Sequence, residues 1–445
     1  MPVWSATCAR TPDGALAIGG IDVRDLAREH GTPLYVIDEA DFRARARAFR
    51  DHFGAAFAEY GTTCTAYYAS KALLSSQIAR WVHEDGLGID VASGGELEIA
   101  LRAGIPGDLI TLHGNNKSDA ELTRALEVGV GHIVVDSLTE IDVLSALAAE
   151  AGVTAPVLVR VTTGVHAGGH EYIATSHEDQ KFGLSLATGA ALEALRAAHA
   201  SPSLDLRGIH THIGSQILSV DAFRESAHRM LKLRADFAAE TGYELPEVDL
   251  GGGYAIAYTP EDEALDVEKA AREIAHVVAE EVAAAGAGWP RIGIEPGRAI
   301  AGPAGTTVYS VGVVKRVALD GDGERQYVAV DGGMSDNMRT ITYGATYTAA
   351  LASRTSSAPG VLSRVVGKHC ESGDIVVRDV DLPADTQRGD LLAVPVTGAY
   401  GRSMASNYNA LLRPAVVAVK DGSSRVLIRR DTIEDLLSWD VPPTA

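Results

Sequence analysis

LRGIHTHIGS (206–215) is followed, after a longer amphipathic segment, by PEVDLGGG (246–253). Both runs are short and mostly apolar, as strands buried on both faces are. The segment between them has an apolar residue at every third or fourth position, the spacing of one helix face: Phe223, Ala227, Met230, Leu233 and Phe237. A strand, a helix and a strand in this order predict two parallel strands joined by a right-handed crossover.

The same unit repeats between residues 63 and 298. Six further short apolar runs occur there, namely TCTAYYAS (63–70), LGIDVAS (87–93), LITLHG (109–114), HIVVDS (132–137), PVLVRVTT (156–163) and RIGIEPGR (291–298). Helical patterns separate most of them, as at 116–130, 138–152 and 266–284. Eight such units are the number that closes a (β/α)8 barrel of the TIM type. An open doubly wound sheet is the alternative, although such sheets usually have fewer strands.

The pattern changes after residue 303. Few helices separate the strand-like runs that follow, which lie at 308–317, 326–333, 363–370, 391–396, 414–420 and 424–430. This pattern predicts a mainly antiparallel β domain, sandwich-like or barrel-like. We expect residues 1–37 to pack on it, so the predicted domains are a barrel of residues 38–303 and a β domain of residues 1–37 with 304–445. We interpret the polar segment 164–180, which contains three histidines, as a lid.

Composition narrows the classes of function. The 445 residues carry 39 Lys+Arg and 59 Asp+Glu, a formal net charge of −20. So acidic a surface repels nucleic-acid phosphates and anionic lipids, so we expect neither as a partner. The three cysteines form no CxxC pair, and no apolar run approaches the roughly 18 residues of a membrane helix. The beginning, MPVWSATCARTPDG, lacks the pattern of a signal peptide, so we expect a soluble cytoplasmic protein.

Polar and glycine residues follow seven of the eight predicted barrel strands. Active sites of such barrels lie at this edge, where strands end and the following loops begin. The residues concerned are Lys71, Asp90, His113, Asp136, His210, His212, Gly251, Gly252, Gly253, Glu295, Gly297 and Arg298. Their shared position at one edge indicates an active site more strongly than any one motif does.

The loops after the seventh and eighth strands favour an anion site. Gly252 and Gly253 can bring backbone N–H groups close to a ligand, and barrels often bind phosphate at these two loops. Arg298 adds paired donors for a phosphate. An ordinary loop is the alternative, but position and chemistry together favour phosphate binding.

Glu295 and Lys71, both at predicted strand ends, could each have either a structural role or a role in binding a ligand. Glu295 ends an apolar strand, so its carboxylate needs a partner, either Arg298 or a protonated ring nitrogen of a ligand. Lys71 is a surface lysine by default. At the end of a strand and the start of a helix, however, desolvation and the helix dipole lower the pKa of an amine, and a neutral amine can form a Schiff base.

His210 and His212 alternate along one strand and therefore point to the same face. Such a pair could bind zinc, but no complete ligand set is evident, so we expect no metal. A histidine stacked on a flat ring is the simpler functional interpretation, and a core histidine is the structural one.

Residues in the predicted β domain carry weaker signals. Cys370 is either buried filler or a reactive thiol, and its hydrophilic setting in GKHCESGD makes reactivity plausible. Arg339 and Tyr343 lie either on a solvated surface or in a clamp for a carboxylate, which arginine suits through its paired donors.

These motifs together resemble the barrel-fold decarboxylases that use pyridoxal phosphate (PLP), and most closely the diaminopimelate decarboxylases. The resemblance extends from about residue 20 to 435 and rests on YYASKA, DVASGGEL, HGNNKS, HEDQKFGLSL, HTHIGSQI, DLGGGYAIAY, EPGRAI, VDGGMSDN, GKHCESGD and GAYGRSMASNYN. It implies a homodimer in which Cys370 and Glu371 enter the site from the partner subunit.

The resemblance also implies a role for each matching residue. Lys71 would form the Schiff base with PLP, His212 would stack on its ring, and Glu295 would pair with its nitrogen. The phosphate would be held by Ser215, Gly252, Gly253, Gly297, Arg298 and Tyr400. Cys370 would donate a proton. The substrate would be bound by Arg298, Arg339, Tyr343, Glu371 and Tyr400.

The implied reaction converts meso-2,6-diaminopimelate to L-lysine and CO2, the last step of lysine synthesis. The chain departs from the family pattern at Leu73, Thr340 and 345–347, and the last two lie close to Tyr343. The alternatives are decarboxylation of ornithine, arginine or carboxynorspermidine on the same fold, a non-catalytic PLP-binding protein and a metal-dependent barrel hydrolase. Arg339 and CESGD favour diaminopimelate, whose distal end carries a carboxylate and an amine.

Overall fold

The computed structural model describes residues 3–165, 181–321 and 323–443. The predicted lid therefore falls almost entirely, at 166–180, outside the described residues. Within the described ranges, no helix has both the length and the apolar character needed to cross a membrane.

The strands and helices are numbered in chain order. The strands are β1 (Ala9–Arg10), β2 (Leu16–Ile18), β3 (Ile21–Asp22), β4 (Leu34–Asp38), β5 (Cys64–Ala69), β6 (Gly88–Val91), β7 (Ile110–Leu112), β8 (His132–Val135), β9 (Ala155–Thr162), β10 (Leu184–Ser185), β11 (Leu204–His210), β12 (Glu247–Asp249), β13 (Arg291–Ile294), β14 (Gly305–Ala318), β15 (Glu324–Val330), β16 (Ala350–Leu351), β17 (Gly360–Val366), β18 (Ile375–Pro383), β19 (Leu391–Pro395), β20 (Ala415–Lys420) and β21 (Ser423–Ile428). The helices are α1 (Val23–His30), α2 (Glu39–Ala58), α3 (Ser76–Glu84), α4 (Gly94–Arg102), α5 (Asp119–Val128), α6 (Leu138–Ala151), α7 (Ala190–Ala200), α8 (Val220–Thr241), α9 (Val267–Ala285), α10 (Arg298–Ala304), α11 (Arg339–Thr342) and α12 (Ile433–Leu437).

The chain forms two compact units. One contains Arg45–Ala255 and Glu263–Ala299, and the other contains Met1–Ala44, Ile256–Asp262 and Ile300–Ala445. We call them the barrel unit and the sheet unit.

The barrel unit confirms the predicted (β/α)8 fold. Its eight strands pair in parallel in the order β5-β6-β7-β8-β9-β11-β12-β13, and β13 pairs back with β5 to close the ring. The short strand β10 is added beside β9. Each predicted apolar run overlaps one of the eight strands, because strands covered on both faces require continuous apolar sequence.

Helix ends in the barrel unit follow local sequence rules. Ser118 precedes α5 and forms a capping box with Glu121, which satisfies backbone N–H groups that lack partners within the helix. Gly129 ends α5 in the left-handed conformation, with φ of 63°, which glycine adopts without steric cost. These signals fix where each helix starts and stops, and therefore how long the loops at the strand ends are.

The sheet unit contains a mixed sheet in which antiparallel pairing predominates, as predicted. The parallel pairs are β15 with β17 and β20 with β4. Strand β4 also pairs with β14, so residues close to the N-terminus contribute a strand to the C-terminal sheet. Apolar side chains of β2, β4, β14, β19 and β20 form a buried core beside this sheet.

A buried carboxyl group lies under the glycine-rich turn that follows β15. Asp336 accepts hydrogen bonds from the Tyr309 hydroxyl at 2.6 Å and from the Gly333 N–H at 3.0 Å. Burial nevertheless raises the pKa of Asp336 to about 7. The folded chain therefore retains a proton on Asp336 that the unfolded chain loses near pH 4.

We expect the stability contributed by protonated Asp336 to be complete below pH 4 and to be lost as the pH rises through about 7. Relative to Asp336→Asn, the free energy of unfolding of the unaltered protein should fall by up to about 1.4 kcal/mol per pH unit in this window. Urea unfolding between pH 4 and 8 measures it, with Asp320→Asn, at an exposed position, as the control. The same pH dependence in the unaltered protein and in Asp336→Asn would contradict this assignment.

Candidate active site

The carboxyl ends of the barrel strands carry the predicted polar residues. Glu295 comes directly after β13, and His113 follows β7. His210 is the last residue of β11, so His212 lies just beyond the strand rather than on it. The strand ends of a closed barrel meet at one edge, so one face of the barrel unit carries these groups.

Lys71 lies at this edge, but its local structure differs from the prediction. It belongs to a 3₁₀ turn, Ser70–Ala72, and the next α-helix begins only at Ser76. The side chain is exposed, so the predicted desolvation of its amine is wrong for this structure. The positive charge of Lys71 still affects groups at this edge. Burial lowers the pKa of His212 most, and the charge of Lys71 lowers it further.

Glu295 has its carboxylate on the buried floor of this edge. Its Oε1 lies 2.8 Å from Nε2 of His210 and 3.3 Å from Nε2 of His113. The 2.8 Å separation places His210 within hydrogen-bonding distance of this oxygen, and the neighbouring histidines lower the pKa of Glu295 although burial opposes them. Arg298, the structural partner considered from sequence, donates instead to the Ser215 hydroxyl at 2.9 Å. Glu295 is therefore a buried acceptor with remaining hydrogen-bonding capacity.

Two glycines after β12 are required by close backbone packing. A Cβ atom on Gly252 would lie 2.3 Å from the Glu295 carbonyl oxygen. One on Gly253 would lie 2.5 Å from the Gly214 carbonyl oxygen, and the φ of Gly253, +106°, also disfavours a side chain. The sequence GGG thus brings the backbone of this loop against neighbouring strand ends.

Donor groups gather around this loop. Ser215 and Arg298, both predicted to hold a phosphate, are joined directly by their hydrogen bond. Gly297 is also tightly packed, because a Cβ there would lie 2.9 Å from Cβ of Ala69. The backbone N–H of Gly252 donates to Nδ1 of His212 at 3.1 Å, which leaves the proton of a neutral His212 on Nε2. This arrangement can bind an anion and orient an imidazole.

Lys117 of the HGNNKS motif has a structural role. Its side chain is 2% exposed and donates to the carbonyl oxygens of Gly114 and Val134 and to Oε1 of Glu140 at 2.6 Å. The other carboxylate oxygen of Glu140 accepts from the Asp136 N–H. This network ties the loop after β7 to β8 and to α6.

Arg339 of the sheet unit has partners that sequence patterns did not identify. Its Nη1 donates to the hydroxyls of Tyr258 at 2.7 Å and Tyr347 at 2.6 Å. Its guanidinium also lies 4.9 Å from the centre of the Tyr258 ring. Arg339 is therefore buried and held rigidly, not a solvated surface residue. Tyr347 belongs to the 345–347 segment that departs from the family pattern.

The loop of GKHCESGD presents an exposed thiol next to a buried anchor. Cys370 is exposed, and its backbone N–H donates to Oδ1 of Asn409. The anchor is Asp374, whose carboxylate accepts from the N–H of Met334 and from both the backbone and the Nδ1 of His369. Glu371 is also exposed, so the predicted proton donor, Cys370, and the predicted ligand of the substrate amine, Glu371, are both exposed.

The remaining predicted residues, Tyr343 and Tyr400, are half-buried in the sheet unit. Tyr400 has a positive φ of 59°, which a non-glycine residue rarely adopts. Such backbone strain often accompanies a functional position.

Known proteins resemble the chain over nearly its whole length. The family described as pyridoxal-dependent decarboxylase, pyridoxal binding domain, matches residues 39–302. The diaminopimelate decarboxylase of Mycobacterium tuberculosis is 52% identical over 443 residues, which cover 99% of this chain and 98% of that protein. The diaminopimelate decarboxylase of Bacillus subtilis is 44% identical over 436 residues, covering 98% of this chain and 97% of that protein. A crystal structure of diaminopimelate decarboxylase from M. jannaschii with L-lysine has a TM-score of 0.92 at 30% identity and covers 100% of this chain and 99% of that one.

We expect Lys117→Met to destabilise the barrel unit by about 3 to 5 kcal/mol, because it leaves the buried Glu140 carboxylate without its cation. Lys117→Met with Glu140→Gln should recover part of that loss, since the uncompensated charge is gone. Urea unfolding of the three proteins measures both effects.

The control is Lys232→Met, which breaks the exposed 2.7 Å pair with Asp236 on α8. It should cost less than about 1 kcal/mol. Equal losses for Lys117→Met and Lys232→Met would show that the Lys117 network is not structurally important.

Proposed function

The chain belongs to the diaminopimelate decarboxylase family of pyridoxal-dependent decarboxylases, and from this premise we propose that it converts meso-2,6-diaminopimelate to L-lysine and CO2 with PLP as cofactor. The reaction is the last step of lysine synthesis. Identity of 42–52% with diaminopimelate decarboxylases over nearly the full chain supports the proposal. So does the M. jannaschii structure with L-lysine, which is the proposed product.

The buried Glu295 carboxylate is the observation that carries the proposal. A carboxylate has lone pairs on both of its oxygens, so Glu295, with His210 and His113 beside Oε1, can still accept a hydrogen bond from a protonated pyridine nitrogen. Ser215 and Arg298 supply donors suited to a phosphate, and Gly252 and Gly253 leave no space for side chains beside them. The buried carboxylate suits the protonated ring nitrogen of PLP, and the donors at the same barrel edge suit its phosphate.

The remaining binding roles follow the matching motifs. Lys71 would hold the cofactor through its amine. His212 stacks on the ring, with its own orientation fixed by the Gly252 N–H. Gly297 and Tyr400 complete the phosphate site with the residues already named.

Catalysis depends on where negative charge develops. When bound, PLP supplies a ring that accepts the electron pair left on the α-carbon as CO2 departs. Glu295, held as an anion, keeps the ring nitrogen protonated and thereby strengthens this acceptor. The Cys370 thiol then donates a proton to the α-carbon, which completes the product.

Positively and negatively charged side chains are proposed to bind the distal end of the substrate, which carries a carboxylate and an amine. Arg298, Arg339 and Tyr343 bind the distal carboxylate, while Glu371 binds the distal amine. Tyr400 adds a hydroxyl to the substrate site. The exposure of Cys370 and Glu371 supports their entry into the site of a partner subunit, so the proposed enzyme is a homodimer that shares its active sites. The domain boundaries at 38–303 and at 1–37 with 304–445 are part of this proposal.

The proposed location is the cytoplasm. All three cysteines are free thiols, as expected in a reducing compartment. An amino-acid substrate and a soluble cofactor require neither a membrane nor nucleic acid as a partner.

We expect the purified enzyme to release CO2 from meso-2,6-diaminopimelate with a far higher kcat/KM than from ornithine or arginine. Arg339→Ala should raise KM for diaminopimelate about 10- to 100-fold, because loss of a hydrogen bond to a charged group costs roughly 1.5 to 3 kcal/mol. The same change should hardly affect the residual reaction with ornithine, which has no distal carboxylate. Measuring CO2 release from the three substrates side by side tests both statements.

Arg316→Ala, at an exposed arginine of the sheet unit, is the control and should leave every KM unchanged. Arg339→Lys retains the charge but not the paired donors, so it should fall between the unaltered protein and Arg339→Ala. Faster release from ornithine or arginine by the unaltered protein would refute the substrate assignment.

A further inference from the structure

Two histidines surround one oxygen of the Glu295 carboxylate. Nε2 of His210 lies 2.8 Å from Oε1, and Nε2 of His113 lies 3.3 Å from the same atom. The two imidazole rings also contact each other edge to face, with centroids 5.0 Å apart. Motion of Glu295 toward either side is therefore blocked by a ring.

The three residues come from different parts of the barrel. His113 follows β7, His210 ends β11 and Glu295 follows β13, so only the closed ring of strands brings them together. Nε2 of His113 also lies 3.5 Å from Oδ1 of Asp90, the penultimate residue of β6. The backbone N–H of His113 donates to the Val91 carbonyl oxygen, which fixes this position on the ring of strands.

Burial determines the charge of the two histidines. It lowers the pKa of His113 and of His210 to about 4, against the opposing effect of Glu295. Both are therefore neutral imidazoles at neutral pH, and each has one N–H dipole to offer the carboxylate. Burial alone would raise the pKa of Glu295, but the neighbouring His210 and His113 lower it below its usual value.

Without the two histidines, burial would disfavour the charged form of the Glu295 carboxylate. Burial and the charge of Glu295 together raise the pKa of Asp90 and of Asp249 well above the usual value. In the absence of favourable dipoles, Glu295 would take up a proton, as these two neighbours tend to do. The other charged and titratable groups that interact with this cluster electrostatically include Lys71, Asp90, Lys117, Arg160, His212 and Asp249.

We propose that His113 and His210 are positioning residues that hold the Glu295 carboxylate in place and in its charged form for the ring nitrogen of the cofactor. The inference rests on the proposed function, since it concerns how this chain tunes PLP. Both histidines lie beside the Glu295 carboxylate. They act through Glu295, by fixing its rotamer and by stabilising its charge in a water-poor interior.

The same three side chains could instead hold a metal ion. Their ligand atoms all lie within 4.8 Å of one another, a spacing that a transition-metal ion can bridge. A metal there would occupy the carboxylate that the ring nitrogen needs. Metal binding and positioning are therefore mutually exclusive explanations of this cluster.

The test is made on holoenzyme reconstituted with PLP carrying ¹⁵N in the ring. The variants are His210→Leu, which removes both ring nitrogens at similar volume, and His210→Gln, which restores an N–H donor. His113→Leu with His210→Leu removes both dipoles. The ¹⁵N chemical shift of the ring nitrogen, followed against pH, reports its protonation directly.

We expect the ring nitrogen to be protonated at neutral pH in the unaltered protein and to lose its proton at lower pH in His210→Leu and still lower in the double variant. The kcat for diaminopimelate should fall about 10- to 100-fold in His210→Leu with little change in KM, a typical cost of removing residues that orient a charged ligand. His210→Gln should recover most of both properties.

The matched control is His132→Leu at the opposite ends of the strands. Nε2 of His132 lies 2.9 Å from Oε2 of Glu247, so this variant breaks a histidine–glutamate pair of nearly the same length, 2.9 against 2.8 Å, at the other end of the barrel strands. It should lower stability but leave the ¹⁵N titration and kcat unchanged.

An unchanged ¹⁵N titration in His210→Leu, or an equal change in His132→Leu, would overturn the inference and leave the proposed function intact. One zinc ion per chain that disappears in His210→Leu would overturn it in favour of a metal site. Failure of the unaltered protein to bind PLP at all would overturn both proposals.

Discussion

A negative charge buried inside a closed barrel is the constraint on which the site depends. Glu295 follows the strand that closes the ring, and its carboxylate is shielded from water by the packed strand ends. A buried carboxylate in an apolar setting would normally take up a proton. His113 and His210 oppose this, and they can do so only because ring closure brings β7, β11 and β13 to a common edge. Closure of the barrel is thus required for Glu295 to carry the charge that the proposed cofactor needs.

Much of the fold was predictable because the barrel strands have a strong local signature. Strands covered on both faces need continuous apolar runs, and all eight were predicted from those runs. Strand β18 was missed, because Arg378, Asp379 and Asp381 interrupt its apolar pattern and its pairing with β17 contains register shifts. A bulge disrupts the alternation by which half-buried strands are recognised.

The site was predictable to the extent that position along a strand determines chemistry. Glu295 and Arg298 were assigned from strand ends and Ser215 from its family motif, and the structure joins Ser215 to Arg298 by a hydrogen bond. The contacts that tune the site were not predictable. Tyr258 lies 81 residues from Arg339 in sequence, and its hydroxyl contact depends wholly on tertiary structure. Lys117 lies in the HGNNKS motif, yet its burial and three acceptors make it structural.

The exposed amine of Lys71 connects these features to the proposed chemistry, since it alone among the strand-end residues can bond covalently to an aldehyde. Reduction of the PLP-loaded protein with borohydride, followed by digestion and mass spectrometry, locates that bond directly. The pyridoxyl group should be found on the peptide containing Lys71, at close to one per chain, and should be absent after Lys71→Ala. A label on Lys117, on another lysine or on no residue would contradict the account of this barrel as a PLP-dependent decarboxylase.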